Sequence, residues 1–183
     1  MRYLGIDPGS KKCGWAIVDL ASKKVLGHGH ADLNEMRKII GDNMCHLDGV
    51  VIEMLVRYKM SNPTDLLGTA YAIGRLQEMF HVSKTLELTS SGVDRTIELL
   101  EFTRPEVIFR LTGRWPGRTH KVSKAELQVV VKDLLGLKEP IRPQHANDAA
   151  SLVVATTHPV KAIINDKPKR ARRAPAKPSG RTK

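Results

Sequence analysis

The sequence predicts a mixed α/β fold, a sheet flanked by helices, on two observations. Three short apolar runs joined by brief polar connections open the chain, and beyond residue 33 strand-like and helix-like segments alternate. The length agrees with one unit: 183 residues suffice for a single domain with a sizeable core and would make two compact domains cramped.

The first run, Arg2–Asp7 (RYLGID), is an apolar strand that breaks at Pro8-Gly9, a strong turn signal. Residues 14–19 (GWAIVD) and 24–29 (KVLGHG) come next, at the spacing of an antiparallel meander. A helix is expected over 33–44, and then 49–55 (GVVIEML) forms a nearly continuous apolar run, as a strand covered on both faces requires. Asn62-Pro63-Thr64-Asp65 reads as a helix start, with a cap, a proline in the first turn and an acid beside it. That helix is expected to reach about Met79, with Gly68 and Gly74 marking close packing against the sheet.

Residues 81–95 carry no clear period; 85–89 reads as a strand and Ser90-Ser91-Gly92 as a loop. The segment 96–102 (TIELLEF) fits a strand or a continuing helix, and Pro105 is expected to interrupt the chain beyond it. Five Lys or Arg, His120, glycines and a proline make 110–124 a basic loop. The helix over 123–135 is clear: Ser123 caps it, Glu126 stands three residues on, and Leu127, Val130, Val131, Leu134 and Leu135 form its apolar face. A last helix is expected from near Asn147, packing through Ala149, Ala150, Leu152, Val153 and Ala155.

Charge is distributed unevenly. The chain carries 30 Lys+Arg against 19 Asp+Glu, but eight of the basic residues and none of the acids lie beyond Asp166. Residues 1–166 are therefore nearly balanced, and the tail is a polycation of Lys, Arg, Pro, Ala, Ser and Gly with no apolar face to bury. Such a segment is expected to be disordered and to hold phosphate backbones without reading sequence. No stretch approaches the roughly 18 apolar residues of a membrane span, and no secretory apolar run opens the chain, so a cytoplasmic protein is expected. Cys13 and Cys45 form no CxxC pair and read as reduced thiols, which argues against a zinc cluster.

Four residues point to chemistry. Asp7 ends an apolar strand, where a carboxylate beside the sheet is costly without a partner. Glu53 interrupts VVIEML, a strand otherwise apolar on both faces. His145 and Asp148, three apart at the start of a helix, can share a ligand. Taken singly, they could be a turn former, an edge-strand charge and a helix cap. Together they form an oxygen-rich donor set suited to Mg2+ or Mn2+ rather than zinc or copper. The set fits two-metal phosphodiester hydrolysis: Asp7 bridging, Glu53 on one ion, and Asp148 with His145 on the other.

The segment LGIDPGSKKCGWAIVD resembles the opening of RuvC-family Holliday junction resolvases. VVIEML, LLGTAYAIGRLQ, EFTRPEVIFRLTG, KVSKAELQVVVKDLLGL and HANDAASLVVATTH continue the likeness in order, so that it covers residues 2–158. The resemblance implies an RNase H-like domain over 1–160 with a five-stranded mixed sheet, followed by the tail 161–183. It also implies a homodimer that makes paired symmetric nicks in a four-way DNA junction with Mg2+ or Mn2+, two ions per site. It carries catalytic roles onto Asp7, Glu53, His145 and Asp148, His145 standing where some members have Asp. Lys124 matches a family lysine near the scissile phosphate, with Lys121 or Arg114 in place of a second, and Arg118 extends this DNA-binding set. An aromatic residue that the family uses at the junction centre falls near Val56, and Tyr58 is the residue expected to take that role. The stretch between Met79 and Ile97 and the basic loop are departures, as in a divergent, phage-encoded member. The helix over 62–79 is the expected dimer interface. Two other readings stay open: another RNase H-like nuclease, similar to the YqgF group and acting on branched DNA or RNA, and a non-catalytic basic DNA-binding protein.

Overall fold

A computed structural model describes residues 1–55, 62–91, 96–116 and 122–158. Its elements in chain order are β1 (Arg2–Asp7), β2 (Cys13–Asp19), β3 (Lys24–Ala31), α1 (Leu33–Asn43), β4 (Gly49–Met54), α2 (Pro63–Ser91), β5 (Glu98–Thr103), α3 (Arg104–Thr112), α4 (Lys124–Leu135) and α5 (Gln144–Thr156). The strands form one five-stranded sheet in the order β3-β2-β1-β4-β5. The first three are antiparallel neighbours, whereas β4 and β5 run parallel to β1. The expected mixed five-stranded α/β sheet is therefore what the chain adopts.

The period-two pleat sorts the apolar side chains into two cores. Leu4, Ile6, Val50 and Ile52 are buried on one face with Met36 and Ile40 of α1 and Leu76 and Phe80 of α2. Tyr3, Val51 and Phe102 lie on the other with Val107 of α3, Val131 and Leu135 of α4, and the whole inner length of α5. Asp7 and Glu53 share the parity of Tyr3 and Val51, so the pleat turns both toward the α5 face. The parallel ladder that pairs Ile6 with Ile52 leaves these two carboxylates as the next residues on adjacent strands.

Ten consecutive residues of α5, Ala146 to Ala155, are buried. Glycines let the helix come that close: a methyl group on Gly5 would sit 2.1 Å from the Ala149 carbonyl oxygen, and one on Gly14 2.3 Å from that of His145. Side chains longer than hydrogen would lift α5 off the sheet.

Several sequence expectations need correction. The helix predicted to end near Met79 continues to Ser91, so the strand expected at 85–89 is helical. No proline or glycine stands between Met79 and Gly92 to end it. Gly68 packs against Ser10 of the β1–β2 turn, but Gly74 faces open space, so only the first glycine marks close packing. Residues 98–103 are a strand rather than more helix. Pro105 does not interrupt the chain but sits in the first turn of α3, where its missing N–H is no loss. The final helix begins at Gln144, three residues before the expected Asn147.

Candidate active site

Three distant segments deliver the predicted residues to one place. β1 ends in Asp7, β4 carries Glu53 one residue from its end, and the first turns of α5 present His145 and Asp148. The helix-cap reading of the last pair fails, because Pro143 is the capping position and neither side chain bonds a helix N–H among the described residues. One ligand atom each from Asp7, His145 and Asp148 lie within 4.8 Å of one another. The His145 ring donates from Nδ1 to Asp7 Oδ2 at 2.7 Å.

Glu53 stands apart from that trio and is held by a residue that no sequence signal marked. Arg104, the first residue of α3, reaches Glu53 Oε2 at 3.6 Å through Nη1 and Asp148 Oδ1 at 3.1 Å through Nη2. The Glu106 carboxylate fixes the backbone beside it, accepting from both the N–H and the hydroxyl of Thr103. Lys124, at the start of α4, approaches Asp148 Oδ2 at 3.7 Å with its own side chain 58% exposed. Ser123 anchors that helix start by accepting from the Glu126 N–H at 3.1 Å. A second unmarked neighbour is His30 of β3, exposed, with its ring 5.4 Å from that of His145. The segment EFTRPEVIFRLTG includes Arg104 but assigns it no role, and no motif includes His30; the sheet order brings both in.

The electrostatics arise from burial and crowding. Glu53 is pushed up to about 7, first by desolvation, then by repulsion from Asp7 and Asp148, against the pull of Arg104. The hydrogen bond to Asp7 raises His145 above the usual imidazole range despite partial burial. Burial works against the charge on Arg104, but Asp148 and Glu53 outweigh it, and its pKa rises. Asp148 is 2% exposed, which a carboxylate tolerates only with such partners.

Of the residues expected to touch DNA, Arg114 lies exposed just past the far end of α3 from Arg104. Tyr58, Arg118 and Lys121 lie outside the described residues, as does the tail. Near Arg114, Trp115 is 52% exposed and stacks on Phe109 at 4.8 Å between ring centroids. No helix among the described residues is long and apolar enough to cross a membrane.

An RNase H-like sheet whose two central strands and overlying helix bring carboxylates together defines a nuclease-type domain. A family model described as "Crossover junction endodeoxyribonuclease RuvC" matches residues 3–158, and the chain belongs to that family. The protein of that name from Helicobacter pylori (strain G27) is 30% identical over 169 residues, 86% of this chain and 96% of the relative. Its counterpart from Corynebacterium glutamicum is 27% identical over 84% of this chain and 68% of the relative. A solved structure, T. thermophilus RuvC in complex with Holliday junction substrate, matches at a TM-score of 0.62 and 18% identity, covering 86% of this chain and 93% of that one. That structural likeness is one of fold.

Proposed function

We propose that the chain is an endonuclease that resolves four-way DNA junctions by paired nicks, using divalent cations held by Asp7, Glu53, His145 and Asp148. The observation that carries this reading is the convergence of three of those four ligands to within 4.8 Å, from segments some 140 residues apart in sequence. Two carboxylates and an imidazole are hard to borderline donors, which fits Mg2+ or Mn2+. When bound, such ions supply a more acidic water and charge neutralisation at the leaving 3′ oxygen, and two per site suit that division.

The chain's own residues do the rest. Asp7 serves as the shared ligand because it lies between the α5 pair and Glu53 on adjacent strands. His145 ligates only as a neutral ring, and the Asp7 hydrogen bond favours the protonated form. Lys124 extends an exposed ammonium from the rim, a point charge suited to a phosphate beside Asp148. Arg114, Arg118, Lys121 and Tyr58 extend the DNA contact, and the basic tail from 161 onward adds a contact without sequence preference, beside a nuclease domain over 1–160. A junction presents two equivalent phosphates, so a two-fold dimer sets one site on each. The exposed Leu67 and Tyr71 of α2 support that helix as the interface. The cytoplasm, where chromosomal or phage DNA recombines, is the expected setting.

Asp7→Asn keeps the shape and removes the shared charge. Its cleavage should fall by about a thousandfold or more, because several kcal/mol of charge stabilisation is lost, while junction binding in a gel-shift assay stays near wild type. A variant that cuts normally contradicts the ligand assignment. Robust cutting of a flap or an RNA–DNA hybrid in preference to the junction would favour a different RNase H-like substrate.

A further inference from the structure

Among the described residues Arg104 is the one cation that contacts two of the proposed metal ligands, Glu53 and Asp148. It is not a surface group that happens to lie nearby. Its side chain is 20% exposed, and its position is fixed by β5 running beside β4 and by the Thr103–Glu106 cap at the head of α3. The four proposed ligands are thereby split into two kinds. Asp7, His145 and Asp148 offer atoms close enough to share one ion, and of these Arg104 touches Asp148 alone, at 3.1 Å, whereas Glu53 lies outside that group with the guanidinium 3.6 Å from it.

A fixed positive charge within 4 Å of a carboxylate competes with any other cation for it, and in a desolvated site the competition is strong. We infer that Arg104 is a positioning residue that serves Glu53 as an internal counter-ion, so that divalent ions bind in sequence. Asp7, His145 and Asp148 would hold the first. Glu53 would hold the second more weakly, because its carboxylate is already paired with Arg104. Arg104 takes one of the three ligands of the first ion but the one unshared ligand of the second, so the second is the one most sensitive to ion concentration. This rests on the reading of the acidic set as a divalent-cation site.

The test is a Mn2+ titration of the full chain, monitored by calorimetry and by the paramagnetic resonance signal of free Mn2+. Wild type should show two affinities separated by about tenfold or more, and Arg104→Gln should close most of that gap. Arg104→Lys, which keeps the charge, should retain it. A Gln variant whose two affinities match those of wild type overturns the proposal, as does a wild type with two equal sites. If Arg104→Gln fails to fold, Glu53→Gln decides: it should lose the weak site and keep the tight one, and loss of the tight one overturns the proposal. A wild type that binds no Mn2+ at all instead overturns the metal reading on which the proposal rests.

Discussion

Helices α5 and α2 cover opposite faces of the same sheet, and they meet it in opposite ways. α5 is 13 residues long and buries ten in succession, including the polar Asn147, Asp148 and Ser151. α2 is 29 residues long and leaves Leu67, Tyr71, Val82 and Leu86 between 53% and 70% exposed. The short helix has no spare surface, so what it carries is held to the sheet with little freedom. The long one has apolar surface left over along one side, at spacings of four and eleven residues that stay on one helical face. A site that must hold ligand atoms within a few tenths of an ångström belongs on the first kind of element. An interface belongs on the second.

The largest expected effect breaks the second half of that contrast. Leu67→Glu with Tyr71→Glu places charges on the proposed interface in both protomers. Sedimentation should show the dimer dissociation constant rising by about a thousandfold or more, since each of the four buried apolar side chains contributes roughly 1.5–3 kcal/mol. The far-ultraviolet circular dichroism of each chain should not change. An unaltered dimer would move the interface elsewhere.

Next comes the site, through pH. Glu53 is raised to about 7 from an ordinary 4.5, so its folded form prefers the proton. The stability this contributes is fully present below about 4.5 and is lost as pH rises through about 7. Glu53→Gln should therefore match wild type in EDTA at the acidic end and exceed it by about 3 kcal/mol at pH 8 in denaturant melts. Saturating Mn2+ should reverse that order, because the ion rewards the ionised carboxylate. A variant less stable than wild type at pH 8 in EDTA would mean that the Arg104 pairing outweighs the burial.

Two glycines give the smaller effects. Gly14→Ala places a methyl 2.3 Å from the His145 carbonyl oxygen, beneath α5, and should cost about 1–3 kcal/mol while weakening Mn2+ binding. Gly74→Ala in α2 meets nothing within 4 Å and should stabilise by about 0.5–1 kcal/mol through helix propensity alone. Thermal melts of the pair compare the tight seat with the open face. Equal and opposite shifts would agree with the contrast; two losses would show that α2 is packed as closely as α5.

Much of the fold and of the candidate site is legible in the residues, for reasons that are local. Asp7 stands out because an apolar strand stops at Pro-Gly immediately after it, and Glu53 because a charge inside VVIEML has no cheap explanation. His145 and Asp148 are recognisable as a pair because helical spacing puts them on one side. Arg104 is not legible. Its partners lie 51 and 44 residues away, and the contact exists only because β5 adds in parallel beside β4 and α3 then turns back over the edge. The second half of α2 escapes for another reason. Phe80 faces the core while Val82 and Leu86 face outward, so apolar residues occur around the helix and blur the period that would reveal it. Pro105 misleads because proline breaks a helix interior and favours a helix start, and only the capping pair Thr103 and Glu106 tells the two apart.

The central claim is best tested by mapping the cuts. A synthetic four-way junction, with each strand end-labelled in turn, is incubated with the full chain and Mg2+ or Mn2+ beside linear duplex of the same sequence. Nicks of matched yield at symmetric positions in two opposing strands, dependent on the ion and absent from the duplex, are the predicted result. Nicks confined to one strand, or cutting of the duplex at a comparable rate, would contradict it.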